Sequence, residues 1–336
     1  MQLAQVVPLT GAGARRGNAW RNGVEFAVQA INAGVEPRFQ VYTYDSGAAP
    51  VGGKSSLQRA LDGEVAAVLA VLPAAAVQTV LERGVPLIVP GTSWMPGAGP
   101  GPMLASPSPL AGLRRFLPWL RGNLGWRRFA VLGGPADGER PWRDAFRRAA
   151  GPAGLEVVAD LSVPVRAAPG GEVGALLRER PDAVFLDAAP AECARLLQVL
   201  RVQAPDLPVA GAGVLADPAF LEAAGPAARA LTAHVSAAAE VPAFAEFSTR
   251  FEAAFKAPPG VLTIDGYIAA MMVRAGLARV SRGEAPGLAA ALRGLRTGAD
   301  ETLLATRWSD SGEPERETFV ARIAEPGDVE WLTLAA

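Results

Sequence analysis

Two apolar runs without polar alternation, VAAVLAVL at residues 65–72 and VPLIV at 85–89, flank a short helix-like segment at 75–83. A strand with one solvated face alternates apolar and polar residues, so runs that do not alternate mark parallel strands covered on both faces. Gly84 supplies the helix stop before the second run. The stretch therefore reads as a βαβ unit, and it constrains the chain strongly, because a parallel pair needs helices on both sides of its sheet. Each run ends in small or hydroxyl residues, at 73–76 and 91–96. In an open α/β sheet the ligand crevice lies beyond the carboxyl ends of the strands, so both loops are expected to line one mouth.

The same order of strand, loop and helix recurs along the chain. Strands are expected at 3–8 and 39–44 and helices at 18–32 and 54–61, the first helix with Trp20, Val24, Ala27, Val28 and Ile31 at helical spacing. Proline and glycine crowd 96–112, which reads as a long surface loop leading to a helix at 113–120. A second series then gives strands at 128–133, 155–161, 183–187, 209–213 and near 230–236, with helices at 142–150, 171–179, 192–203 and 218–223. Residues 241–242 look like a crossover, helices follow at 243–256, 263–280 and 287–295, and a hairpin-like pair, 303–309 and 318–323, closes around Asp310, Ser311 and Gly312. Each series is long enough for its own sheet. The fold class expected is α/β, as two doubly wound Rossmann-like lobes.

Composition excludes several function classes. With 336 residues, 50% hydrophobic and 19% charged, the chain is neither disordered nor fibrous. A net charge of −1, a pI near 6.0 and arginines spread along the chain offer no basic field, so nucleic acid is not expected as a partner. Cys193 is the sole cysteine and His234 the sole histidine, which removes an intrachain disulfide and a Cys/His zinc cluster, and leaves almost no room for a histidine-based triad. No metal or cofactor is expected. The apolar run around 65–77 is too short for a bilayer and is broken by Pro73, so no membrane span is expected. A strand-like segment begins almost directly after Met1, without a charged and then apolar leader; either the protein is cytoplasmic, or a secretion signal has been removed and Met1 stands in its place.

Two near-motifs fail on their spacing. Residues 47–55 almost read as a phosphate loop ending in Lys54-Ser55, but the position five before Gly53 is Ala48, and Pro50 removes a backbone donor. Gly91-Thr92-Ser93-Trp94-Met95 resembles a nucleophile elbow with Met95 at the second required glycine. No catalysis is expected. Two adjacent hydroxyls at a strand end favour ligand contact for Thr92 and Ser93 over ordinary loop residues. Cys193 and His234 read as packing residues and Trp20 and Trp142 as core, whereas nothing in its pattern calls for burial of Trp94. Arg15 and Arg16 read as solvated charges unless the fold brings them to the crevice.

Set in order, several segments resemble a known family: Pro8-Leu9-Thr10-Gly11, Asn22-Gly23 with Ala30-Ile31-Asn32, Tyr44-Asp45 with Pro50, and Gly84-Val85-Pro86-Leu87-Ile88-Val89-Pro90-Gly91-Thr92-Ser93. Phe129-Ala130-Val131-Leu132, Asp182-Ala183-Val184-Phe185, Asp265-Gly266-Tyr267 and Trp308-Ser309-Asp310-Ser311-Gly312-Glu313 extend the match over nearly the whole chain. Their order and spacing are similar to those of the type I periplasmic binding proteins of the Leu/Ile/Val class, the solute receptors of ABC importers. The resemblance implies residues 1–117 with 241–300 in one lobe, 118–240 with 301–336 in the other, and a three-strand hinge near Leu117, Val241 and Glu301. It also implies a small-molecule ligand, a membrane permease as partner and an extracytoplasmic location with the signal peptide removed.

Carried over residue by residue, the family's site is kept only in part. Thr92 and Ser93 stand where the ligand head group is bound. The family's serine-rich loop is Pro73-Ala74-Ala75-Ala76 here, so backbone N–H groups at Ala74 and Ala75 remain but a side-chain donor is lost. Its aromatic and acidic contacts align with Gly138, Ala189 and Gly213, which removes the usual clamp for an ammonium group unless Asp187 turns inward. Arg16 aligns with an aromatic bordering the ligand, and Trp94 extends the Thr92-Ser93 loop. The expected ligand is therefore a carboxylated apolar or aromatic solute rather than a standard amino acid. The alternative readings on the same fold are a lipoprotein activator of penicillin-binding proteins and an amide-type sensor.

Overall fold

In the computed structural model, which describes residues 1–34, 38–47, 54–94, 101–134, 141–164 and 169–336, the first sheet starts from the interior strand β1 (Gln2–Val7). It pairs in parallel with β2 (Gln40–Asp45) on one side and β3 (Ala67–Ala70) on the other, and β4 (Leu87–Val89) and β5 (Met103–Leu104) extend the sheet beyond β3. Helices α1 (Ala14–Asn32), α2 (Ser56–Leu61) and α3 (Ala74–Glu82) make the crossovers. Side chains alternate across the sheet, so Ala4 and Val6 of β1 join Val68, Ala70, Leu87 and Val89 on the face that Ala60 of α2 and Val77 and Val80 of α3 cover. α2 begins at a capping box in which Ser55 and Gln58 satisfy each other's backbone N–H groups.

The second sheet begins after α4 (Pro109–Leu124) with β6 (Arg128–Gly133), and α5 (Pro141–Ala150) leads to β7 (Glu156–Ser162). Then α6 (Gly170–Arg178), β8 (Ala183–Asp187), α7 (Pro190–Gln203), β9 (Val209–Ala212), α8 (Pro218–Ala224) and β10 (Leu231–Val235) continue the alternation. The chain next adds α9 (Ala245–Phe255), α10 (Val261–Ser281), α11 (Leu288–Leu292) and α12 (Ala299–Thr302), with β11 (Arg296–Thr297), β12 (Thr306–Trp308) and β13 (Pro314–Glu315) as a small antiparallel sheet. Finally β14 (Thr318–Ile323) and β15 (Val329–Leu334) join the second sheet, whose order is β15-β14-β10-β9-β8-β6-β7. Both large sheets are wound from parallel strands with helical crossovers; only β14 and β15 run antiparallel to their neighbours.

Helix α10 is apolar and long enough to cross a membrane by length and composition. It is instead the core helix of its unit, buried from Thr263 through Val273 and packed along α1.

The chain divides into two units, Met1–Ser108 with Ala237–Arg316 and Pro109–Ser236 with Glu317–Ala336. These boundaries differ from those expected at Leu117, Val241 and Glu301. Helix α4 belongs to the second unit from its first residue. Residues up to Arg316 belong to the first unit because they clamp the 101–108 segment: Leu104 N–H donates to Gly312 O at 2.9 Å, and Trp308 Nε1–H donates to Leu104 O at 2.7 Å. Two other expectations need correction. Residues 101–110 are buried and include a strand, so they are not a surface loop; residues 95–100 lie outside the described residues. The expected hairpin between 303–309 and 318–323 does not form, because β12 pairs with β11 and β13 while β14 pairs with β10 and β15.

Candidate functional site

All five strands of the first sheet are parallel, so the loops after β1, β3 and β4 open at one edge, with the topological switch between β1 and β3. The loop after β1 is tied down by Asp45 at the end of β2. Its Oδ1 accepts the N–H groups of Leu9 and Gly47 at 2.7 and 2.9 Å, and its Oδ2 accepts the Thr10 hydroxyl at 2.8 Å. Arg16 follows in the first turn of α1, exposed and without a hydrogen bond or ion pair among the described residues. After β3, α3 starts at Pro73 with no side-chain cap, leaving Ala74 and Ala75 exposed in its first turn.

The loop after β4 is the most closely built. Gly91–Ser93 form a tight turn closed by the Ser93 N–H donating to Pro90 O at 2.9 Å. The Gly91 N–H donates to the Ser106 hydroxyl at 3.1 Å, and Ser106 donates to Asp265 Oδ2 at 2.7 Å. Only glycine fits at 91, since a Cβ there would stand 2.3 Å from the carbonyl oxygens of both Ser106 and Pro107. Thr92 is half-buried and Ser93 buried, yet neither hydroxyl makes a hydrogen bond among the described residues. Trp94 leaves the turn in extended conformation and packs partly buried against the apolar cluster of β1, β3, β4 and α3. That packing was not legible in its local pattern.

Ser106, Asp265 and Arg316 stand behind this turn, a grouping that sequence reasoning missed. Asp265 is fully buried, and burial pushes its carboxyl up to about 6, against the opposing effects of the Arg316 charge and the Ser106 hydrogen bond. The Asp265-Gly266-Tyr267 motif was visible in the sequence, but nothing in it pointed to Ser106.

In the second unit the expected residues lie at the carboxyl ends of β8 and β9. Asp187 Oδ2 accepts the Arg143 N–H in the first turn of α5 at 3.0 Å, so part of this carboxylate serves as a helix cap. Ala189 is exposed at the start of α7, and Gly213 is half-buried in the turn after β9, where a Cβ would meet only ordinary contacts from 3.6 Å. Gly138 lies outside the described residues, as do residues 48–53 of the near-phosphate loop. Lys54, the end of that loop, is paired with Asp62 at 2.6 Å.

Cys193 and His234 sit as packing residues. Cys193 is buried beside the Ala188 carbonyl, and burial pushes its thiol up to about 12. His234 is enclosed by Phe116 and Trp142, and burial, with the Arg115 charge, lowers it to about 3. Among the described residues no group of three His, Cys, Asp or Glu side chains could hold a metal ion. An open groove of about 420 Å³ in the second unit, walled by Trp126, Ala230 and Arg322, lies at the amino ends of its strands and away from the strand-end loops.

The comparisons accord with this geometry. A leucine binding protein, LivK, from Thermotoga maritima matches with a TM-score of 0.80 and 17% identity, over 100% of this chain and 99% of its own. A solute binding protein of an R. palustris ABC transporter, solved in complex with benzoate, matches at 0.76 and 20%, over 100% and 96%. A fatty acid ABC transporter substrate-binding protein from Thermomonospora curvata matches at 0.71 and 18%, over 100% and 92%. No curated protein sequence matches the chain. The family model described as periplasmic binding protein matches residues 1–328, and the chain accordingly belongs to that family.

Proposed function

We propose that the protein is the extracytoplasmic receptor of an ABC importer and binds a carboxylated apolar or aromatic solute, which it hands to a membrane permease. The observation that carries this reading is the Gly91–Ser93 turn: two hydroxyls, Thr92 and Ser93, at a strand end, without hydrogen-bond partners among the described residues, on a backbone anchored from below. The first turn of α3 offers the Ala75 N–H on the next strand, and exposed Arg16 offers a cation beyond it. Family membership supports the receptor role, the permease partner and the location outside the cytoplasm. The benzoate complex and the fatty acid receptor among the structural neighbours support an apolar acid, and the leucine receptor supports an amino acid. Alanines at 74 and 75, glycine at 213 and the helix-capping bond of Asp187 weigh against the ammonium group of an amino acid.

In this reading the passages after Ser108, Ser236 and Arg316 act as the hinge. Family membership supports a protein that binds and releases its solute without chemistry. A thermal-shift screen of benzoate, medium-chain fatty acids, leucine and amides tests it, since a ligand at a hundred times its Kd stabilises by about 2.7 kcal/mol. Stabilisation by the acids and compaction in small-angle scattering are expected. A folded protein that responds to none of them would shift the reading to an interaction module of the activator kind.

A further inference from the structure

We propose that Asp265 is a positioning residue for the ligand loop: acting through Ser106, its ionised carboxylate fixes the Gly91–Trp94 turn, so that the turn loosens and solute affinity falls when Asp265 takes up a proton. This rests on the reading of that turn as the head-group site.

The chain of contacts is short and buried. Asp265 lies on α10 with 1% of its surface exposed, Ser106 with 2% and Arg316 with 1%. The Ser106 hydroxyl has one proton, and it spends it on Asp265 Oδ2 at 2.7 Å, which leaves the oxygen's lone pairs for the Gly91 N–H at 3.1 Å. The polarity of this relay is therefore set by a carboxylate that accepts only. Removing that charge has two consequences. A hydrogen bond to an ionised acceptor is about twice as strong as one between neutral groups, so Ser106 is held less firmly. The neutral acid also gains a proton of its own, which competes to donate to Ser106 and turn its hydroxyl away from the arrangement that receives Gly91. Gly91 cannot compensate by shifting, because the carbonyls of Ser106 and Pro107 already stand where its Cβ would be.

The groups around Asp265 define when this happens. Arg316 is the charged group acting on it and Ser106 its hydrogen-bond donor among the described residues; the neighbouring helix α1 presents the neutral Trp20 backbone against Gly266. Asp265 Oδ1 is buried without a hydrogen bond, so one side of the carboxylate is poorly compensated. Burial outweighs Arg316 and holds the carboxyl at about 6. The change thus falls within the pH range an extracytoplasmic protein meets.

The test measures amide hydrogen exchange of 91–94, corrected for the intrinsic pH dependence of exchange, from pH 5 to 8 in the whole chain. Benzoate and leucine calorimetry is run in parallel. Wild type should show protection of the turn falling about five- to tenfold as pH drops through about 6, and the affinity of whichever probe binds should fall with it. Asp265→Asn should hold the low-pH protection at every pH. Ser106→Ala, which keeps the charge near Arg316 and remains informative if the first variant fails to fold, should lower protection and abolish the transition. Protection that does not change with pH in wild type, or that still titrates in either variant, overturns the proposal. Loss of binding of both probes with the protection transition intact would instead count against the proposed ligand class and leave Asp265 in its positioning role.

Discussion

Gly23 of α1 lies so close to Thr263 of α10 that a Cβ at Gly23 would stand 1.9 Å from the Thr263 carbonyl oxygen. The contact is reciprocal one turn on, where a Cβ at Gly266 would stand 2.3 Å from the carbonyl oxygen of Trp20. Two glycines therefore let the helix backbones touch, and the crossing fixes the helix that carries Asp265. Gly23→Ala must push the helices apart, and an overpacked core of this kind typically loses about 1–3 kcal/mol. Denaturant unfolding should show that loss. An alanine variant as stable as wild type would mean that the crossing is not tight.

This pair also shows what the sequence reveals and what it hides. Asn22-Gly23 and Asp265-Gly266-Tyr267 were visible as a resemblance, but their meaning is a contact between segments some 240 residues apart, as 23 and 266 are in the numbering. Local patterns served well where burial is continuous: the strands expected at 128–133 and 183–187 form as Arg128–Gly133 and Ala183–Asp187. They failed where partners are distant. Residues 101–108 carry glycine and proline and read as part of a surface loop, yet they pass beneath residues 293–316 of the same unit, with Arg293 donating to Gly101 O at 2.6 Å. Thr318–Ile323 read as half of a local hairpin, but its partners are Leu231–Val235 and Val329–Leu334. The candidate site follows the same rule. Thr92 and Ser93 were legible from a strand-end loop, whereas Ser106 and Asp265, separated by 159 residues, were not.

Arg143 in α5 is 4% exposed and donates through Nε to Asp160 Oδ1 at 2.7 Å and through Nη1 to the Ser162 hydroxyl, while Arg147 binds the other oxygen of Asp160. Asp160→Ala would leave the Arg143 guanidinium buried without its carboxylate. Breaking a buried pair from one side costs about 3–5 kcal/mol. The unfolding transition assigned to the second unit should move by that order and the first unit's should not. A loss below about 1 kcal/mol, the range of exposed pairs, would show that water reaches Arg143.

Two buried titratable groups, one in each unit, should give opposite pH slopes. Asp265 has its folded pKa raised from 3.8 to about 6, so its contribution to stability is present below about 4 and is lost as pH rises through 6. His234 has its folded pKa lowered from 6.5 to about 3, so its contribution is present above 6.5 and is lost as pH falls toward 3. Each slope is at most about 1.4 kcal/mol per pH unit. His234→Leu should flatten the acid-side loss in the second unit and leave the first unit's slope unchanged. An unaltered acid limb in that variant would place the titration elsewhere.

The proposed ligand class makes a sharper demand on Arg16 than on Trp94. Arg16 is exposed and makes no hydrogen bond or ion pair among the described residues, so its removal should cost the fold little, within the ±0.5 kcal/mol usual for surface changes. Any large effect of Arg16→Ala on binding is then an effect on the ligand. If Arg16 meets the solute's carboxylate, losing a charge-assisted bond of about 1.5–3 kcal/mol should weaken benzoate by roughly tenfold or more. Trp94 packs against the apolar cluster, so truncation to alanine would confuse binding with stability, and Trp94→Phe is the better probe. A ring that serves mainly as packing should tolerate that change with little loss of affinity. Calorimetry on the two variants separates the cases: benzoate affinity indifferent to Arg16→Ala, or leucine bound more tightly than benzoate by the wild type, would remove the carboxylated apolar solute as the ligand class.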